Sequence, residues 1–136
     1  MKINLGCGEQ IMEGWTNIDL HFSHPLVIRD DITTLKKASL YIRDSVITIY
    51  CAHTLIYVPY SHTKSTFQRW YEILSQNGKA YIEEPENKED WEGIKYLRRK
   101  EDVIEALQKA GFKHCHEISL PSWSRHSGGY CVEGTK

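Results

Sequence analysis

A glycine-rich loop near the first residues of this sequence suggests binding chemistry. Ile3 and Leu5 alternate with polar residues as in a strand, and Gly6, Cys7 and Gly8 then force the chain into a tight turn. Glycine has no Cβ and tolerates positive φ, so the backbone can approach a ligand closely. A helix beginning behind the loop would add N–H donors that favour an anionic group. The loop is therefore a candidate cradle for part of a small molecule.

An acidic residue at the end of the next predicted strand complements this loop. Asp19 follows Ile18 there, and a carboxylate in that position can accept hydrogen bonds from both hydroxyls of a ribose. A dinucleotide site would require glycine where Ile11 stands, and its acid usually follows after ~20 residues, farther than Asp19 lies from Gly6. These residues favour a ribose-containing ligand other than a dinucleotide. A nucleotide-dependent oxidoreductase is the weaker alternative.

Polar and aromatic side chains near later strand ends could act on a bound substrate. His53 follows an apolar strand, and histidine titrates near neutral pH, so we predict His53 as a general base. His126 and Glu84 are lesser candidates that read more readily as loop or surface residues. Tyr57 and Trp123 could form an apolar wall for a ring-shaped substrate, with core packing as the alternative.

These residues need a scaffold that brings strand ends together. Apolar residues at helical spacing alternate with β-type segments, which predicts parallel strands joined by right-handed crossovers. We therefore predict an α/β fold, a three-layer Rossmann-like sandwich with a mostly parallel sheet and a C-terminal antiparallel hairpin. Ligands of such sheets bind beyond the carboxyl ends of the strands. The expected strands are 2–5, 15–20, 26–28, 45–51, 79–83, 112–120 and 130–133, with helices at 63–76 and 101–110 and one or two turns within 9–14.

Length and composition limit the classes of protein. The 136 residues match one domain, predicted to span 1–136, and 17 basic against 18 acidic residues give no electrostatic reason to expect nucleic acid. The basic run Arg98 to Lys100 is followed at once by acidic residues, so we predict a solvated helix entrance there. No apolar run approaches a membrane span, and four cysteines without CxxC spacing favour a reduced, cytoplasmic protein.

A metal site is not expected from the histidine and cysteine spacing. His114, Cys115 and His116 are adjacent, but no second ligand pair at a suitable spacing accompanies them. We therefore predict no metal ion in this protein.

The order of these features resembles the class I S-adenosylmethionine-dependent methyltransferases. Residues 4–9 and 14–20 are similar to the first and second motifs of that family. The segments 30–32, 45–58, 70–79 and 110–112 are similar to its later motifs, so the resemblance covers nearly the whole chain. Each motif is common, whereas their order and spacing make the combination fairly specific.

The resemblance implies S-adenosylmethionine as the cofactor and assigns parts of its site. It implies that the glycine loop lines the methionine part, that Asp19 with Leu20 meets the ribose, and that Asp31 with Ile32 meets the adenine. The end of the fourth strand would lie under the sulfonium. The implied cofactor-binding residues are Gly6, Cys7, Gly8, Asp19, Leu20, Asp31, Ile32, Cys51 and Ala52.

The expected function is methyl transfer from S-adenosylmethionine to a small-molecule or glycan-like acceptor. His53 would be the catalytic base, and Tyr57, Glu84, Trp123 and His126 would contact the acceptor. The alternative is a non-catalytic member of the fold that binds the cofactor or a partner. Relatives often cover the substrate with N-terminal helices, whereas this sequence begins on the first strand. We therefore expect a substrate side that is open, or closed by a second copy in a homo-oligomer.

Overall fold

A computed structural model describes residues 1–90, 92–124 and 128–136, which form a seven-stranded sheet. The strand order is β3-β2-β1-β4-β5-β7-β6. The first five strands are parallel, and β7 runs antiparallel to both β5 and β6. The predicted mostly parallel, Rossmann-like sheet with a C-terminal antiparallel hairpin is thereby confirmed. The strands are β1 Lys2–Leu5, β2 Thr16–Asp19, β3 Val27–Arg29, β4 Val46–Ala52, β5 Leu74–Glu84, β6 Lys113–Ile118 and β7 Tyr130–Thr135.

Within the described residues, three α-helices cover one face of this sheet. They are α1 Ala38–Tyr41, α2 Thr63–Ile73 and α3 Lys100–Ala110, and single 3-10 turns lie at Leu55–Tyr57, Tyr60–His62 and Lys88–Asp90. Helix α3 ends at Gly111, whose φ of 111° provides the left-handed cap that glycine adopts without strain. None of the described helices combines the length and the apolar composition that crossing a bilayer would require.

Strand alternation decides which side chains enter the core. Ile3 and Leu5 pair in register with Ile49 and Cys51 of β4, and all four point to the helical side. Neighbouring residues such as Asn4 therefore point to the opposite face. The core on the helical side also includes apolar residues of both long helices, namely Phe67, Trp70, Val103 and Leu107.

The connection from β1 to β2 corrects one sequence-based expectation. Residues 6–15 form turns without the predicted helical turns. The buried Asn17 side chain instead holds this connection on the sheet: its Oδ1 accepts the N–H of Met12 at 2.9 Å, and its Nδ2 donates to the carbonyls of Met12 and Trp15. Asn4 Nδ2 donates to the carbonyl of Gln10 at 2.9 Å. The side-chain amides of Asn4 and Asn17 thus form hydrogen bonds with backbone groups that would be paired within a helix if one formed here.

Aromatic side chains complete the layer opposite the helices. Trp123 packs against Trp15, Tyr50 and Tyr81 with ring centroids 4.7 to 5.4 Å apart. Ser124 Oγ donates to the buried Glu83 carboxylate at 2.9 Å. The third layer of the sandwich, in the residues described, is therefore built from loops and aromatic rings.

The boundary between α2 and β5 lies earlier than the sequence suggests. The helix ends at Ile73, and Leu74 already pairs with Val46 of β4. The end predicted for this helix, at residue 76, lies inside β5, where the next residue, Asn77, has φ 64° and the pairing register shifts. Lys136 stabilises the helix end because its ammonium donates to the carbonyls of Tyr71 and Leu74 at 2.7 and 2.8 Å.

Candidate functional site

A cavity of about 990 Å³ lies at the carboxyl ends of β1, β2 and β4. This is the edge at which open parallel sheets bind ligands, and the volume lies at the upper end of the range typical of small-molecule sites. Its lining comes from the glycine loop, the segments after β2 and β3, and the segment between β4 and α2. The lining residues are Gly6, Cys7, Gly8, Glu9, Gln10, Asp19, Leu20, His21, Asp31, Ile32, Thr33, Thr34, Ala52, His53, Thr54, Tyr57, Val58, Pro59, His62 and Lys95.

The glycine loop reaches the cavity through two left-handed residues. Gly6 has φ 63°, and a Cβ added there would lie 2.3 Å from side-chain atoms of Thr54. The Thr54 hydroxyl donates to the Gly6 carbonyl at 3.1 Å and so ties the loop to the end of β4. Gly8 has φ 48°, and a Cβ added there would meet no atom within 4 Å. The backbone at Gly8 is therefore open to a ligand.

Asp19 is held at the cavity by backbone donors. One carboxylate oxygen accepts the N–H of Gly8 at 3.0 Å, and the other accepts those of His21 and Phe22 at 2.8 Å. These bonds fix the carboxylate between the glycine loop and the segment after β2. Burial, with the nearby Asp19 charge, raises the pKa of the Cys7 thiol to about 12. Cys7 is therefore an uncharged part of the wall and not a thiolate nucleophile.

The segment after β3 forms a second polar corner of the cavity. Asp31 Oδ1 accepts hydrogen bonds from the N–H and the hydroxyl of Thr33 at 2.8 and 2.7 Å. The Ile32 carbonyl accepts the Trp70 indole N–H at 2.8 Å, which fastens this corner to α2. The corner therefore presents an anchored carboxylate beside the apolar Ile32 side chain.

The two predicted cofactor residues at the end of β4 lie in different surroundings. Ala52 lines the cavity, whereas the preceding Cys51 points into the core on the helical side and is fully buried. His53 lines the cavity, is buried, and adopts a left-handed φ of 49° while its N–H donates to the Glu83 carbonyl at 2.9 Å. Of the non-glycine residues described with positive φ, His53 alone lines the cavity.

The predicted acceptor residues are divided among different places. Tyr57 lines the cavity and is 50% exposed. Glu84 does not line it, because its carboxylate is buried on the helical side and accepts the Leu55 N–H at 3.1 Å. Trp123 belongs to the aromatic layer on the other face of the sheet. His126 lies outside the described residues.

Sequence reasoning missed several lining residues. Four of them directly follow predicted site segments, namely Glu9, Gln10, Thr33 and Thr34. Their adjacency in sequence to those segments could have identified them. Lys95 carried no such signal. Its N–H donates to the Ile56 carbonyl at 3.2 Å, a contact between segments far apart in sequence.

The charges of the lining define what the cavity can hold. Asp19, Asp31 and Glu9 place carboxylates around the glycine loop and the ends of β2 and β3, while Lys95 lies at the wall after β4. Such a lining can accept hydrogen bonds from hydroxyls and attract a cationic group. No group of three or more described His, Cys, Asp or Glu residues gathers at a distance that could hold a metal ion.

Solved structures with the same fold are numerous, although no protein-family model and no curated protein matches the chain. An S-adenosylmethionine-dependent methyltransferase from Archaeoglobus fulgidus matches 98% of this chain and 85% of its own, with 13% identity and a TM-score of 0.68. The magnesium protoporphyrin IX methyltransferase of Synechocystis PCC 6803 with bound S-adenosylmethionine matches 100% of this chain and 69% of its own, at 12% identity and a TM-score of 0.63.

A third similar structure is the S-adenosylmethionine-dependent methyltransferase SibL in its apo form. It is 17% identical over 81% of this chain, with a TM-score of 0.56, and this chain spans 35% of its length. Agreement over most of this chain at such low identity establishes architecture. The chain therefore has the fold of the class I S-adenosylmethionine-dependent methyltransferases.

Proposed function

We propose that this protein binds S-adenosylmethionine in the cavity and transfers its methyl group to an acceptor. The observation that carries the proposal is the convergence of the open glycine loop, the fixed Asp19 carboxylate and the Asp31–Ile32 corner on one cavity. Each was expected from sequence as a separate part of a methyl-donor site. Their meeting at the carboxyl edge of the sheet supports the proposal.

The residues present fit this cofactor group by group. The Gly8 backbone, without a Cβ and with open space beside it, would meet the methionine part. Asp19 would accept hydrogen bonds from the ribose hydroxyls, since its three backbone donors leave part of its acceptor capacity unused. Asp31 and Ile32 would meet the adenine through a polar and an apolar contact. Ala52 would allow close approach at the end of β4.

Methyl transfer requires mainly orientation of the acceptor and exclusion of water. When bound, the cofactor supplies an electrophilic methyl group on a sulfonium. His53 would accept the proton of a hydroxyl or amine acceptor, because it lies in the cavity wall in a strained backbone conformation that functional sites often retain. The half-exposed Tyr57 would pack against an acceptor ring.

The acceptor class we infer is a small molecule or a glycan-like compound. The cavity is concave and large enough for both the cofactor and part of such an acceptor. A second copy of the chain would close the acceptor side in a homo-oligomer. Cys7, Cys51, Cys115 and Cys131 are all free thiols, which agrees with the reducing cytoplasm as the site of action.

A screen of acceptors tests the catalytic half of the proposal. Purified protein is incubated with S-adenosylmethionine carrying a labelled methyl group and with panels of hydroxylated small molecules, amines and oligosaccharides. Labelled product together with S-adenosylhomocysteine supports methyl transfer. Cofactor binding without product from any panel would favour a non-catalytic binding protein with the same fold.

A further inference from the structure

Two buried ionisable side chains contact the wall formed by residues 53–63 from the side away from the cavity. Glu84, at the end of β5, is 1% exposed, and Arg98, just before α3, is 4% exposed. Leu55 lies between them: its N–H donates to Glu84 Oε1 at 3.1 Å, and its carbonyl accepts from Arg98 Nη1. Both backbone polar groups of one wall residue therefore meet ionisable side chains from distant parts of the chain.

Arg98 also reaches the far end of the same wall. Its Nη2 donates to the Val58 carbonyl at 2.7 Å and to the Thr63 hydroxyl at 2.8 Å. Its guanidinium lies 5.1 Å from the centre of the Tyr60 ring. The rigid donor fork of arginine can serve several fixed acceptors at once, which a lysine ammonium does poorly. One side chain therefore links the turn after β4 to the first residue of α2.

We propose that Glu84 and Arg98 are positioning residues that hold the wall 53–63 closed against the cavity, and that the wall loosens when Glu84 ionises. This role rests on the proposed function, since the wall bounds the proposed methyl-donor site. Neither side chain lines the cavity, and neither is a catalytic residue. They act through the backbone of Leu55 and Val58 and through Thr63.

The pH dependence follows from the surroundings of Glu84. Burial raises its pKa to about 8, although the Leu55 N–H and the Arg98 charge act in the opposite direction. The titratable groups that face it are Arg98 before α3, Cys51 of β4 and Tyr130 of β7. Burial also raises the pKa of Cys51 and of Tyr130, so both stay neutral near pH 8, while arginine stays charged. Glu84 is therefore the group in this set that titrates there.

The sign of the effect follows from proton linkage. Opening of the wall would hydrate Glu84 and return its pKa toward 4.5, its ordinary value. The closed wall consequently binds the proton more tightly than the open wall, and rising pH favours opening. The closed wall is fully favoured below about pH 4.5; this advantage declines as the pH rises toward the closed-state pKa of about 8, and it levels off above that value.

Hydrogen exchange of the wall amides in the ligand-free protein tests the role without any need for activity. After correction for intrinsic exchange rates, protection of the Leu55 amide should fall about tenfold from pH 7 to pH 9, as linkage to one proton with a pKa of about 8 requires. Glu84→Gln, an uncharged isostere, should abolish that pH dependence. Glu86→Gln, at an exposed neighbouring glutamate, is the matched control and should retain it.

The role of Arg98 is tested with a similar pair of variants. Arg98→Met should increase exchange across the wall by tenfold or more at every pH, while the exposed Arg99→Met should leave it unchanged. If Arg98→Met does not fold, Thr63→Val removes one acceptor at nearly constant volume and should still increase exchange. Parallel pH profiles for wild type and Glu84→Gln would overturn the role of Glu84. Unchanged exchange of the wall amides in Arg98→Met would overturn the role of Arg98. Where Arg98→Met does not fold, unchanged exchange in Thr63→Val has the same meaning.

Cofactor titration at pH 7 and pH 9 separates this role from the proposed function. Affinity for S-adenosylmethionine should fall more from pH 7 to pH 9 in wild type than in Glu84→Gln, because the variant retains only the change due to titration of the ligand's own α-amino group. If wild type binds no cofactor at either pH, the proposed function fails, and hydrogen exchange still decides whether Glu84 and Arg98 position the wall. If wild type and Glu84→Gln weaken equally, ionisation of Glu84 does not control the site, and the pH-dependent part of the role is wrong.

Discussion

Gly6 and Gly8 are separated by the single residue Cys7, and their surroundings differ. A Cβ at Gly6 would overlap the Thr54 side chain at 2.3 Å, whereas a Cβ at Gly8 would project into open space. A left-handed conformation alone costs an ordinary residue ~1–2 kcal/mol. We expect Gly8→Ala to lower the free energy of unfolding by about that amount and Gly6→Ala to lower it further.

Urea unfolding of the two glycine variants measures this difference directly. The methyl group introduced by Gly8→Ala would occupy space proposed for the ligand. Gly8→Ala should therefore weaken S-adenosylmethionine binding more than its small loss of stability implies. Equal losses of unfolding free energy in the two variants would contradict the steric role of Thr54.

His53 provides the residue-scale test of catalysis. Replacement by glutamine should reduce turnover by a factor on the order of 10² to 10⁴ if His53 accepts a proton from the acceptor. The dissociation constant for S-adenosylmethionine should change by no more than a few-fold. His116→Gln, at an exposed position on β6, is the control. Unchanged turnover in His53→Gln, measured with an acceptor found in the screen, would remove His53 from the mechanism.

The residues at strand ends show how far sequence could predict the site. Gly6, Gly8, Asp19 and Asp31 all line the cavity, because loops at the carboxyl edge of a parallel sheet meet there, and their contact with a cofactor stays a prediction. Cys51 was placed in the same set as Ala52. Side chains alternate between the faces of a strand, so an error of one residue exchanges the cavity for the core.

Arg98 shows a second limit of sequence reasoning. A run of charged residues usually marks a solvated surface, and Arg99 in this run is exposed. Arg98 is buried because the carbonyls of Leu55 and Val58 and the hydroxyl of Thr63 supply acceptors for its guanidinium. Those acceptors lie in another segment of the chain, and no local pattern shows that they are available.

At the scale of elements, Asn17 replaces a helix as the support for the glycine loop. Its amide bonds to both backbone groups of Met12 and to the Asn4 side chain. Asn17→Ala should lower the free energy of unfolding by about 2 kcal/mol, since it leaves buried backbone groups without partners. It should also weaken cofactor binding, because the loop would lose its register on the sheet.

Thermal unfolding and cofactor titration together test this support. Asn87→Ala, at an exposed asparagine, is the control and should change neither quantity substantially. Normal stability and affinity in Asn17→Ala would show that the loop holds its conformation without the strand amides.

Trp123 packs within an aromatic cluster between elements of the fold. It was a candidate acceptor wall, and the structure places it among Trp15, Tyr50 and Tyr81 on the face opposite the helices. Trp123→Ala should lower the free energy of unfolding by about 3 kcal/mol, the lower end for loss of a large aromatic side chain, and leave cofactor affinity within a few-fold. A large loss of affinity from a variant of normal stability would return Trp123 to the binding site.

The elements themselves were predictable to different degrees. The β-type segments of the sequence located the seven strands of the described residues, and the helical spacing of Phe67, Trp70, Tyr71 and Leu74 predicted the helix before β5. The absence of helical turns after Gly8 was not predictable, because the conformation that replaces them depends on side-chain hydrogen bonds from Asn4 and Asn17. The end of α2 was misplaced because its carbonyls bond to Lys136, far along the chain.

At the scale of the whole molecule, the strand order explains why one edge of the sheet carries the site. The chain runs outward from β1 through β2 to the edge strand β3 and returns through β4 on the other side of β1. This reversal opens a crevice between the loops after β1 and β4. The tie between Thr54 and Gly6 spans that crevice at its base. Topology therefore supplies the cavity, and the residues at its strand ends determine what it binds.

The central claim, binding of S-adenosylmethionine at Asp19, is tested most directly by isothermal titration calorimetry. Wild-type protein should bind both S-adenosylmethionine and S-adenosylhomocysteine at one site. Asp19→Ala should lose about 1–3 kcal/mol of binding free energy, as expected when a charged acceptor is removed. Asp44→Ala, at an exposed aspartate, should bind as wild type does. No heat of binding with either ligand from folded wild-type protein, or equal affinity in Asp19→Ala, would contradict the account.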